Sequence, residues 1–398
     1  MKLSKRIRNL STSPIRKLNP YAKAAKDAGK KIYHLNIGQP DIATPPQFME
    51  SIRNYKEDVI AYADSKGEAV LIKAIQKYYA EKGIPYNLEE IFITNGGSEA
   101  LSFAIMALCD YGDEVLVFEP YYANYASFTK KFDVVINAVQ TSVEKGYHLP
   151  DEEEIERHIT PKTKAILITN PGNPTGVVYT NEEMEMISRI VRKYDLALIA
   201  DEVYREFVYD GFYRSFATMP ELDDSLIMID SVSKRFSACG ARIGCVISKN
   251  KDFNKEMIKC CQSRLSCPVL EPIGAAALYD TPESYLKKTN LEYKKRRDTI
   301  VSALEKLPGV AVSDPKGAFY VMVSFPVDDA EKFAIWTLEN FSIDGKTVMF
   351  APGNGFYDTP SRGMREARLA YVLKSEDIED AIYILGEALK AYPGYTLS

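Results

Sequence analysis

The chain has 398 residues, 46% apolar and 26% charged, with a formal net charge of −5. That length exceeds what one hydrophobic core usually supports, so two domains are expected, and the acidic balance excludes a broad basic face for nucleic acid. Six cysteines without a CxxC spacing, with only three histidines, give no disulfide framework and no expected metal site, which fits a reducing cytoplasm.

Met1 to Arg8 is basic but lacks the apolar run of a secretion signal, and no apolar stretch reaches membrane-spanning length, so neither export nor a membrane is expected. The arm up to about Pro46 has no strong core pattern and is expected to pack on a small domain or another subunit. Residues 91–94 read as a strand that runs through Asn95-Gly96-Gly97-Ser98 into a helical pattern at 101–108. Short apolar runs at 114–118, 133–136, 165–168, 197–200 and 226–229 have strand length and leave room for helices between them, and 244–247 can return as another strand. Near-continuous apolar strands separated by helices predict a mostly parallel sheet covered on both faces. A long charged helix, roughly 282–307, then leads to strand-like 319–324 and 367–372 and a terminal helix around 376–388, the pattern of a smaller α+β domain.

Ligand sites in such sheets lie beyond the C-terminal ends of the strands. Four segments expected there carry unusual polar groups. Gly96-Gly97-Ser98 opens a helix, so its amides and the Ser98 hydroxyl can bind phosphate oxygens in the helix's positive potential. A plain glycine turn with a serine cap has the same composition. In Asn170-Pro171-Gly172-Asn173-Pro174-Thr175-Gly176 two prolines stiffen the turn and two glycines open backbone geometries closed to other residues, which holds Asn173 where it can donate to a phenolate oxygen. A structural turn uses the same residues.

Asp201-Glu202-Val203-Tyr204 follows the run at 197–200. A carboxylate there can keep a pyridine nitrogen protonated, because a nearby opposite charge favours the charged form, and Tyr204 can share the phenolate oxygen with Asn173. The competing role for Asp201 is a helix N-cap. Finally, Ser231-Val232-Ser233-Lys234 with Gly240, Arg242 and Gly244 gathers a second anion-binding cluster around an amine able to form a Schiff base with an aldehyde. An isolated lysine is most often a solvated surface charge. Few chemistries, however, need phosphate ligands, an aspartate, an amide–tyrosine pair and a lysine together.

Over nearly its whole length the sequence resembles the fold-type I pyridoxal-phosphate-dependent aminotransferases of the aspartate aminotransferase superfamily (class I/II). The matching pieces are Tyr62-Ala63-Asp64-Ser65-Lys66-Gly67, Asn95-Gly96-Gly97-Ser98, Asn173-Pro174-Thr175-Gly176, Asp201-Glu202-Val203-Tyr204, Ser231-Val232-Ser233-Lys234 with Arg242, and Arg368. The resemblance implies an α/β fold with a mostly parallel seven-stranded sheet in a large cofactor-binding domain (46–290), a smaller α+β domain (291–398), and an arm (1–45) that contributes to the smaller domain. It implies pyridoxal 5'-phosphate as cofactor, Lys234 as the Schiff-base lysine and Asp201 as the partner of the pyridine nitrogen. Asn173 and Tyr204 would hold the phenolate oxygen, and Gly97, Ser98, Ser231, Ser233 and Arg242 the phosphate. A tyrosine matching Tyr62 reaches the phosphate of the neighbouring subunit, which implies a homodimer with shared sites.

Tyr122 best matches the family's ring that stacks on the cofactor, with Tyr121 and Tyr125 as rivals. Arg368 would bind the substrate α-carboxylate through two parallel hydrogen bonds, beside the Gly38 backbone and Asn173. The implied reaction is transamination between L-aspartate and 2-oxoglutarate. Aromatic amino acids or alanine are the alternative donors, and carbon–sulfur β-elimination is a more distant alternative. Arg16 and Arg264 are the candidates for a second substrate carboxylate. Ala351 to Pro360 departs from the family's usual Pro-Gly-Xaa-Xaa-Phe-Gly form, and its aromatics are candidates to line a pocket. The first 45 residues are too short and too poor in helix-turn-helix pattern for the DNA-binding domain that aminotransferase-like regulators carry.

Overall fold

The computed structural model describes residues 1–10 and 13–396; Ser11 and Thr12 of the arm, and Leu397 and Ser398 at the C-terminus, lie outside the described residues. Within it the arm is tied down. A helix, Asn19–Asp27, turns Ala22 and Ala25 inward, and β1 (Lys31–His34) pairs in parallel with a strand at Lys346–Met349. Only Ile32 and Tyr33 carry apolar bulk in this four-residue strand, too few for a period-two pattern to stand out.

Seven strands form the main sheet: β2 (Ile91–Thr94), β3 (Glu114–Glu119), β4 (Val135–Gln140), β5 (Thr163–Thr169), β6 (Ala197–Asp201), β7 (Leu226–Ser231) and β8 (Gly244–Ile247). Their order is β2-β8-β7-β6-β5-β3-β4. β8 is antiparallel to both neighbours, while the pairs from β7 across to β4 are parallel. Side chains of β3 alternate between two cores: Val115 and Val117 pack with Ala104 and Met257, and Leu116 and Phe118 with Ile187 and Ile190. Both faces are therefore covered, which is why these strands read as apolar runs rather than alternating ones. Removing a side chain such as Leu116, fully buried, costs about 2–5 kcal/mol.

One expected strand is displaced. The run at 133–136 becomes β4, starting at Val135, because Asp133 takes a left-handed turn at φ 56°. β4 is an edge strand, and the polar Asn137 and Gln140 on its half-exposed backbone dilute the apolar signal that would have fixed its limits.

Beyond the helix Glu283–Leu304, β9 (Ala311–Val312), β10 (Tyr320–Ser324), β11 (Lys346–Met349), β12 (Ala351–Pro352) and β13 (Glu366–Ala370) follow. β12-β13-β10-β9 make an antiparallel sheet, and β11 is the partner of β1. Tyr293, Ile300 and Leu304, spaced at helical intervals, enter one core with Leu18 and Ile32 of the arm and Phe319, Phe350 and Leu385. The arm and the C-terminal strands thus share one hydrophobic core. Among the described residues no helix is long and apolar enough to cross a membrane, and no metal-ligating side chains cluster in threes.

Candidate active site

A cavity of about 640 Å³ opens where the C-terminal ends of the main strands meet β10 and β13. Gly38, Gly97, Ser98, Tyr122, Asn173, Asp201, Tyr204, Ser231, Ser233, Lys234, Arg242 and Arg368 all line it. Tyr62, which the resemblance assigns to the phosphate of the neighbouring subunit, does not. It lies 81% exposed on the surface of the chain.

One end of the cavity is built for an anion. Gly97 begins the helix Gly97–Leu108, whose first amides have no intrahelical acceptor. Gly96 stands at φ 75°, and a Cβ there would strike the Arg242 guanidinium, so glycine lets Arg242 lie over the helix start. Ser231 Oγ lies 2.7 Å from Ser233 Oγ and accepts from the Ser233 amide at 3.0 Å. Arg242 donates to Cys239 O at 2.9 Å, its only hydrogen bond among the described residues.

Lys234 sits in the short helix Val232–Arg235, just past β7. Its amine donates to Gly38 O at 2.8 Å and has no carboxylate partner among the described residues. The turn beneath it is clamped: Arg235 is bound by Asp230 at 2.7 Å, and Asp230 also accepts from Tyr79 at 2.6 Å.

Asp201 ends β6 and is 5% exposed. No helix follows it, so the N-cap role is absent. Its Oδ2 accepts from Tyr125 at 2.7 Å and its Oδ1 only weakly from the Val203 amide at 3.4 Å. Burial pushes its carboxyl up to about 6, against the pull of those two donors.

Arg368, on β13, is 1% exposed. It donates to Asn36 O at 2.7 Å and to Asn173 Oδ1 at 3.1 Å, its Nε has no partner, and no carboxylate pairs with it among the described residues. Because an arginine only donates, Asn173 must turn Oδ1 to Arg368 and Nδ2 toward the Tyr204 hydroxyl, 3.5 Å away. A buried cation without a counter-ion is costly, and a carboxylate entering the cavity would supply one.

The three rival tyrosines separate. Tyr122 lines the cavity. Tyr125 lies behind Asp201, and Tyr121 stacks on Tyr125 at 6.4 Å, facing away. Arg264 does not reach the cavity of its own chain: it is bound to Glu99 and to the carbonyls of Ser65 and Ile93, and it is absent from the lining. Arg16, by contrast, lines the cavity. The aromatics of 351–360 do not; Phe356 underlies the Arg368 guanidinium at 5.1 Å and Tyr357 turns to Glu366. Sequence reasoning missed Tyr320 and the support Tyr125 gives Asp201. Tyr320 looks like any strand aromatic in Phe319-Tyr320-Val321, and only its hydroxyl hints at a polar partner.

The model of the family "Aminotransferase class I and II" matches residues 30–381. An aspartate aminotransferase of Thermotoga maritima is 33% identical over 362 residues, covering 89% of this chain and 92% of the relative. One from Bacillus subtilis is 30% identical, covering 96% of this chain and 97% of the relative. A solved alanine aminotransferase from Pyrococcus furiosus superimposes with a TM-score of 0.90 at 30% identity, covering 98% of this chain and all of that one. With the α/β fold and the residues brought together in the cavity, these likenesses make the chain a member of the class I and II aminotransferase family.

Proposed function

We propose that this aminotransferase uses pyridoxal 5'-phosphate to exchange an amino group between L-aspartate and 2-oxoglutarate. The observation that carries the cofactor is a set of uncompensated groups around one cavity. Asp201 is buried without a cation, and Arg368, Arg242 and Lys234 lack carboxylate partners among the described residues. A phosphate fits the helix start, Ser98, Ser231, Ser233 and Arg242; a pyridine nitrogen fits Asp201; a ring oxygen fits Asn173 and Tyr204, with Tyr122 against the ring. When bound, the cofactor supplies an aldehyde and an electron sink.

The chain's own residues supply orientation and proton transfer. Arg368 holds the substrate α-carboxylate, which turns the α-carbon toward Lys234. Lys234 Nζ would take the proton from the substrate α-carbon and, in the reverse half of the exchange, return a proton to the α-carbon of the new amino acid. Asp201 keeps the proton on the ring nitrogen, and the donors Asn173 and Tyr204 steady the ring oxygen. Tyr62, exposed on its own chain, would complete the phosphate site of a second copy in a homodimer.

Relatives named for aspartate support the donor, and the Arg16 guanidinium, which lines the cavity and has no side-chain hydrogen bond or ion pair among the described residues, can meet a second carboxylate. The Pyrococcus likeness and the apolar Ile15, Ile37 and Leu101 in the lining favour alanine as the second reading. An amino-donor panel against 2-oxoglutarate separates them: aspartate should be turned over at least tenfold better than alanine or phenylalanine. Release of pyruvate and ammonia without a keto-acid acceptor would point to β-elimination instead. Borohydride reduction of the cofactor-saturated protein should label Lys234, and an unlabelled Lys234 peptide rejects the cofactor assignment.

A further inference from the structure

Tyr320 joins three parts of the site that the sequence treats as separate. Its hydroxyl lies 2.8 Å from that of Tyr204. Its ring lies under the Arg368 guanidinium, 4.4 Å from ring centre to charge. Its edge fills the space beside Gly38, where a Cβ would collide with the Tyr320 hydroxyl and ring, and Gly38 O is the acceptor of the Lys234 amine. Tyr320 is 2% exposed, so its proton must go to a protein or ligand acceptor. Among the described residues its one hydrogen-bond partner is Tyr204.

Each phenol of the pair has a single proton. If Tyr204 donated to Tyr320, no proton would remain on Tyr204 for a group in the cavity, and the Tyr320 proton would have to find its acceptor in the cavity that it too lines. The opposite direction satisfies both: Tyr320 donates to Tyr204, and Tyr204 points its own proton into the cavity. Donating bonds in series polarise one another, so Tyr320 also strengthens Tyr204 as a donor.

We propose that Tyr320 is a positioning residue for the aminotransferase reaction, its hydroxyl directing the Tyr204 proton onto the cofactor's ring oxygen and its ring seating Arg368 for the substrate carboxylate. This rests on the cofactor assignment above. One side chain on β10 thereby links carboxylate binding to the hydrogen bonding of the ring.

The test uses the holoenzyme with Tyr320→Phe and Tyr320→Leu. A donor to the ring oxygen stabilises the form with more negative charge there, so weakening it moves the pH midpoint of the bound cofactor's visible absorbance upward. Tyr320→Phe should raise that midpoint by roughly 0.3–0.5 pH unit, with the affinity for maleate, a non-reacting dicarboxylate, unchanged within twofold. Tyr320→Leu should raise the midpoint equally and weaken maleate about fivefold or more, because the ring under Arg368 is lost. An unchanged or lowered midpoint in Tyr320→Phe overturns the donor direction, and equal maleate affinity in both variants overturns the seating of Arg368. A wild-type protein that binds no pyridoxal phosphate overturns the cofactor assignment itself, whatever the variants do.

Discussion

Tyr125 donates its hydroxyl to Asp201 Oδ2 at 2.7 Å, with both residues buried. Burial first, and then the Asp201 charge, raise the Tyr125 hydroxyl well above its ordinary range, so Tyr125 keeps its proton and remains a donor at any working pH. Asp201 is raised by burial to about 6. The carboxyl is thus held near the boundary between its two forms, and a cation arriving beside it favours the ionised one. Packing that looks structural, a tyrosine stacked on Tyr121 beneath the cavity, tunes the carboxyl we propose as partner of the ring nitrogen.

Tyr125→Phe removes a donor that favours the charged carboxylate, and Asp201 should then ionise less readily. A hydrogen bond to a charged group contributes about 1.5 kcal/mol, so the acid limb of the kcat profile should move up by about one pH unit. Steady-state rates between pH 5 and pH 9 measure it. A limb that stays in place would show that Tyr125 only fills space.

Asp201→Asn should separate stability from function. In the folded apoprotein the carboxyl is raised from 3.8 to about 6, so the folded state holds this proton more tightly than the unfolded chain. Its contribution to stability is full below about pH 4 and is lost as the pH rises through about 6. At pH 7.5 the ionised, buried carboxylate therefore costs the apoprotein up to about 3 kcal/mol, which asparagine avoids. Apo Asp201→Asn should melt several degrees above wild type at pH 7.5, the gap should close near pH 4, and turnover should fall at least a hundredfold. A variant that melts lower than wild type at pH 7.5 contradicts the burial argument.

Arg368→Lys keeps the charge and discards the planar fork. The donors to Asn36 O and Asn173 Oδ1, and the parallel pair offered to a carboxylate, cannot all be kept by one ammonium. KM for both the amino acid and the 2-oxo acid should rise about tenfold to a hundredfold, with a smaller effect on kcat. Equal loss in kcat with KM unchanged would place Arg368 elsewhere in the reaction.

The sheet and most of the cavity lining were legible in the sequence because parallel strands buried on both faces leave apolar runs, and because Asn173, Asp201 and Lys234 sit at or just past their C-terminal ends. The edge strand β4 slid by two residues where one-sided pairing admits Asn137 and Gln140. The arm's strand β1 was hidden because its partner β11 is more than 300 positions away, so its stability comes from packing rather than local pattern. Arg264 shows the limit for charged groups. Nothing in its neighbours along the chain announces Glu99, Ser65 or Ile93, which meet it only in the folded protein.

Arg16 is where the choice of substrate should be decided. Ile15, beside it, packs against the cluster of Ala123, Ala351, Phe356 and Tyr357, and a Cβ on Gly355 would strike Pro14, so the arm is seated next to the cluster whose Phe356 underlies Arg368. Besides Arg242 at the anion end, two guanidiniums thus face one cavity, Arg368 buried and Arg16 exposed at its rim. On the proposed reading a substrate with two carboxylates would engage Arg368 and Arg16, and one with a methyl side chain only Arg368. An exposed pair contributes about 1–2 kcal/mol when desolvated by a bound ligand, so Arg16→Met should raise KM for aspartate and 2-oxoglutarate about tenfold and leave KM for alanine and pyruvate within twofold. The selectivity ratio, aspartate over alanine, then falls about tenfold. If both donors weaken together, Arg16 holds the arm rather than the substrate. If neither changes while wild type still prefers aspartate, the second carboxylate is met by another group, and the neighbouring subunit of the proposed dimer is where to look for it.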